Sequence, residues 1–189
     1  MLLGIYGLIG VAWGPQCLRQ SFFPFFLLIF CVPLSTPLEP ITFRLRLFAT
    51  QIVQHFCDWV LGIGVLREGT ILKDPNNSYH YEVAAACSGI RSLVSIGFIA
   101  TVMGFLTFRT WWRRGLIMLS AVPLAVLGNV VRLLSIIIAA EIGGQKAGDY
   151  IHEGGPMGII SLLPYILPML GLIAITRWLK EKDSEVQPS

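Results

Sequence analysis

The chain has 189 residues, 54% hydrophobic and 13% charged, with mean hydropathy +0.70 and formal net charge +3. Soluble domains carry about 25% charged residues, so this composition excludes a water-soluble globular domain and predicts an all-α polytopic membrane protein. Nucleic-acid binding is excluded too, for there is no soluble basic domain and no such motif.

A bilayer crossing needs about 20 mostly apolar residues, and about six transmembrane helices are predicted. The opening "MLLGIYGLIGVAWGPQCLRQ" lacks the basic start and small-residue cleavage site of a signal peptide, so residues 1–18 read as a short first membrane segment. The second begins at Ser21, and the third runs from about Phe43 to Leu66. The fourth follows Cys87 and ends near Phe108. The fifth is "LIMLSAVPLAVLGNVVRLLSIIIAA", and the sixth runs from about Pro156 to Trp178. In the third, Gln51, Gln54, His55 and Asp58 share one helical face, read as turned into the bundle or lying at the interface.

Lys and Arg mark the cytoplasmic side. Arg109, Arg113 and Arg114 form one group, Arg177, Lys180 and Lys182 another, and Arg44 and Arg46 a third. All fall inside when both termini are cytoplasmic, with 179–189 as a cytoplasmic tail. Two polar pieces then face outward. In 66–86, the β-like runs "GTILK" and "YHYEV" flank the turn cluster Asp74-Pro75-Asn76-Asn77, predicting a small extracytoplasmic hairpin. Residues 140–156 read as a glycine-rich outer loop.

Four cysteines, Cys17, Cys31, Cys57 and Cys87, show neither a C-x-x-C pair nor metal-ligand spacing, and neither metal nor organic cofactor is implied. The first three sit in apolar stretches and read as small buried hydrophobes. Cys87 differs. It opens the fourth helix, where the helix dipole favours the nucleophilic thiolate, and Arg91 stands one turn later. Taken singly, each has a plainer reading, packing for Cys87 and snorkelling for Arg91.

Arg132 lies about 12 Å below the outer end of the fifth helix at 1.5 Å per residue. That helix offers no acid to pair with it, only Asn129 and Ser135 on the same face, and an embedded arginine is a functional hypothesis by default. His152 falls in the outer loop before the sixth helix. Three segments thus bring a thiol, a guanidinium and an imidazole to one side. Such a set suits cysteine acyl transfer, with the thiolate as nucleophile, the arginine as oxyanion stabiliser and the histidine as proton carrier.

"ACSGIRSL", "GNVVRLL" and "DYIHEGG", in this order, resemble the exosortase/archaeosortase family of membrane cysteine transpeptidases, and the likeness runs from about Gly14 to Gly158. It implies that residues 1–189 form a single membrane-embedded exosortase-like domain. It also implies catalytic roles for Cys87, Arg132 and His152, supported by Ser88, Gly89, Arg91 and Asn129. The implied substrates are exported proteins with a C-terminal transmembrane sorting tail of the PEP-CTERM type. The implied place is the plasma (inner) membrane, multi-pass in the lipid bilayer, with the site on the extracytoplasmic side. Two other classes stay open on the residues alone. One is a non-enzymatic assembly factor for exopolysaccharide or envelope biogenesis, with Arg132 on a lipid phosphate. The other is a small transporter lined by Asn129, Arg132 and the 51–58 stripe.

Overall fold

The first helix does not run straight. The computed structural model describes residues 2–31, 35–75, 79–82, 89–153 and 162–186. In α1 (Leu2–Leu27), Gly14 has φ 80° and ψ 172°, a region open essentially to glycine alone. The chain reverses there: the Tyr6 hydroxyl donates to the Leu18 carbonyl at 2.8 Å, and the Tyr6 and Phe25 rings lie 5.2 Å apart. In an unbroken helix those rings would be about 28 Å apart. Residues 2–13 therefore reach only about 18 Å, against a hydrocarbon core of about 30 Å, so the expected first crossing over 1–18 is corrected to a short helix folded back on 15–27.

After a single turn at Leu28–Cys31, α2 covers Ser35–Phe56 and ends in a wider turn, Cys57–Leu61, closed by Gly62 at φ 66°. Thr42, Arg46, Ala49, Thr50, Val53 and Cys57 form its buried face. A three-stranded antiparallel meander follows: β1 (Leu66–Glu68), β2 (Ile71–Lys73) and β3 (His80–Glu82), with Leu66 opposite Lys73 and Ile71 opposite Glu82. The two β-like runs pair as the sequence suggested. The strand before them, too short and charged to stand out, makes the hairpin a meander.

Three helices complete the described chain: α3 (Gly89–Thr107), α4 (Trp111–Glu153) and α5 (Leu163–Val186). α4 joins two cores. Ile117, Ala121 and Ala125 pack with Ile96 and Ala100 of α3 and Leu172 of α5, while Val130, Leu133 and Ile137 pack with Ala49 and Val53 of α2 and Leu72 of β2. The α3–α4 pair is antiparallel: a Cβ on Gly104 would stand 3.6 Å from Arg114 Cα, and Leu93 shares a cavity wall with Ala125 and Asn129. α2 runs parallel to α4, since Leu45 and Arg46 meet Ala125 to Asn129 and the later residues of α2 meet the later ones of α4.

This packing separates Arg46 from the basic loop at Arg109 to Arg114. It lies about 22 Å along α4 from Arg114, so Arg46 is set well away from the loop that the charge pattern put on the same side. Among the described residues, α4 alone is long and apolar enough to cross a membrane, with Ser92–Thr107 a shorter apolar helix. The chain is mainly helical, but six crossings do not emerge from it.

The expected glycine-rich loop at 140–156 is corrected as well. Residues 141–153 are helical, with a break at Gly144 (φ 71°, ψ −173°). Gly143 and Gly148 are weak helix formers but keep helical angles, so the one backbone angle at Gly144 turns the chain and helix resumes. Residues 154–156 lie outside the described part.

Candidate active site

The break at Gly144 folds the end of α4 back along its own body. Arg132 Nη2 donates to the main-chain carbonyl of His152 at 3.3 Å, across 20 positions that a straight helix would hold about 30 Å apart. Both residues are half-buried. No carboxylate pairs with Arg132 among the described residues, so its charge is open to a ligand oxygen in a partly dry setting.

Cys87 and Ser88 lie outside the described residues. They stand between β3, which ends at Glu82, and α3, whose first residue is Gly89. Continuing the α3–α4 register brings Gly89 level with the turn of α4 that holds Arg132. Arg91 belongs to the first turn of α3, and its side chain is outside the described part. Asn129, one turn below Arg132, is buried. In the same layer, the Ser92 and Tyr165 hydroxyls meet at 3.2 Å.

Sequence reading missed the residue that joins the strand leading to Cys87 to the helix carrying His152. Gln145 Oε1 accepts from the His80 N–H at 3.0 Å, the Gln145 carbonyl accepts from the Tyr81 hydroxyl at 2.9 Å, and Gln145 Nε2 donates to Asp149 Oδ1 at 3.0 Å. The Tyr81 hydroxyl also sits where a Cβ on Gly148 would be. Burial, and after it the nearby Asp149 carboxylate, pushes the Tyr81 hydroxyl from 10.0 up to about 12. A glutamine beside a glycine carries no signal of this role in one sequence. Its contact also occupies the outward N–H of His80, the group a peptide strand added to β3 would use.

The 51–58 stripe faces outward, not into the bundle. Gln51, His55 and Asp58 are exposed; Asp58 Oδ1 accepts from the Val65 N–H at 3.3 Å, and Gln54 Oε1 accepts from Arg67 Nε at 3.3 Å. Gln54 and Asp58 of the stripe thus dock the meander on α2. Of the three cysteines expected to be buried, Cys57 is, Cys17 is half-buried and Cys31 is exposed.

A family model described as transmembrane exosortase (Exosortase_EpsH) matches residues 1–171 of the 189. No curated protein and no solved structure matches the chain. A match over nine-tenths of the length, on a chain dominated by helix, identifies it: the protein belongs to the transmembrane exosortase family.

Proposed function

We propose that the protein is a membrane cysteine peptidase/transpeptidase that removes the C-terminal sorting tail of exported proteins through a thioester at Cys87. The observation that carries the reading is the Arg132–His152 contact, which holds two of the three proposed catalytic residues together. The family match supports the reaction class. The Cys87 thiolate attacks a substrate carbonyl, the carbon–sulfur bond forms, and Arg132 stabilises the oxyanion. The carbon–nitrogen bond then breaks, and His152 gives a proton to the departing amine. An amine or water acceptor attacks the thioester, passes its proton to His152 and returns the thiolate. The site faces the extracytoplasmic side of the inner membrane, where exported tails emerge.

The test is processing in cells. A tail-bearing partner from the same genome is co-expressed with wild type or with Cys87→Ala, Arg132→Ala or His152→Ala, and its size is followed beside the abundance of each variant. Shortening by wild type and not by well-expressed variants supports the reading. Shortening by Cys87→Ala refutes it.

A further inference from the structure

Arg46 is 8% exposed, and its Nε makes no hydrogen bond. Its guanidinium lies 5.6 Å from the centre of the Phe43 ring, a weak cation–π contact that leaves the N–H unsatisfied. Across a small cavity stands Asn129, 5% exposed, whose amide bonds to no described residue. The other walls are Leu45 of α2, Leu93 of α3, and Ala125 and Val126 of α4. A buried N–H left without a partner, as at Arg46, is costly, since native interiors satisfy nearly all of theirs.

The cavity offers about 10 Å³ to a water-sized sphere, the smallest space that takes one water molecule, and Arg46 and Asn129 are the polar residues on its otherwise apolar wall. A carboxylate or phosphate is too large. Water also has the right chemistry: it accepts from Arg46 Nε and donates to Asn129 Oδ1.

We propose that Arg46 and Asn129 enclose a single-water site that clamps α2 to the turn of α4 carrying Arg132, which makes Arg46 a positioning residue for Arg132. Asn129 precedes Arg132 by one turn on the same face. Below both, Pro123 lacks the N–H that would bond to the Leu119 carbonyl, so packing must hold the stretch between Pro123 and Gly144 in place. A bridge at Asn129 fixes the rotation of that stretch, and with it the aim of the guanidinium one turn on. The role in catalysis rests on the function proposed above; the water site itself does not.

The test uses the full chain in detergent, with thermal unfolding of wild type, Arg46→Met, Asn129→Leu and the double variant. If the two share one water, each single variant leaves a buried group stranded and lowers the midpoint, while the double variant loses far less than the sum. Losses that simply add overturn the clamp. Should a single variant fail to fold, Arg46→Lys and Asn129→Ser give a milder cycle read the same way. The cycle needs no substrate, so it decides the clamp whatever Cys87 does. Positioning is read in processing assays. Arg46→Met lowers turnover about tenfold with half-saturating substrate unchanged, and Arg46→Lys restores part of it. Unchanged turnover in Arg46→Met overturns the positioning role.

Discussion

Arg132 holds His152 by its backbone: the guanidinium meets the main-chain carbonyl at 3.3 Å, so the histidine's place is set without using its ring in that contact. The planar fork engages that oxygen through one of its nitrogens and carries further N–H donors besides. A lysine cannot hold two oxygens in fixed geometry from one flexible stem. Arg132→Lys is therefore expected to cut processing about 100-fold, in line with loss of an oxyanion donor. Comparing product formation in Arg132→Lys and wild type at equal enzyme abundance checks this.

Gly144 and Gly14 share nearly the same backbone angles, and neither has an atom within 4 Å of where a Cβ would sit. Alanine at either position meets no clash, only backbone strain of about 1–3 kcal/mol. Both variants should unfold at lower temperature. Their effect on processing should differ: Gly144→Ala displaces His152 from Arg132 and loses product, whereas folded Gly14→Ala keeps it. Equal product from the two would show that the reversal at Gly144 does not serve the reaction.

A Cβ on Gly148 would fall 2.8 Å from the Tyr81 ring carbon that bears the hydroxyl and 3.0 Å from the Ala140 Cβ. Gly148→Ala should cost about 1–3 kcal/mol as overpacking. Tyr81→Phe alone should cost about 1 kcal/mol, the worth of its bond to the Gln145 carbonyl. Together they should cost less than the sum, because removing the hydroxyl relieves the worst overlap. Thermal melts of the four proteins measure that coupling.

Tyr81 also predicts an alkaline weakness. Its hydroxyl rises from 10.0 to about 12 on folding, so the folded state favours the protonated form. That contribution is complete below pH 10 and is lost as pH climbs from 10 towards 12. Wild type should lose more of its unfolding midpoint over that interval than Tyr81→Phe. Parallel loss in both would separate the shift from stability.

The long apolar helices and the strand pairing around Asp74 were legible because periodicity and turn residues are local signals. The grouping of Arg132 with His152 was legible from topology. What escaped depends on single angles and distant partners. A glycine that reverses a helix looks the same in sequence as one that opens a loop, so 140–156 read as a loop. The stripe from Gln51 to Asp58 read as facing the bundle or the membrane interface because nothing local shows that a sheet docks on part of it. Arg46 read as a charge marking one side of the membrane, because its burial comes from α4, some eighty residues further on.

The turn at Gly144 spends one residue on reversing the chain, and the short helix behind it must meet Tyr81 at Gly148 and Arg132 at His152. One added residue between Gly144 and Gly148 would rotate everything after it by about 100° and carry it about 1.5 Å along the axis. The carbonyl that Arg132 holds would then face away. Exposed positions there, such as Lys146 and Tyr150, are free to change in kind, while the segment is rigid in length: an insertion or deletion would be as damaging as losing the histidine.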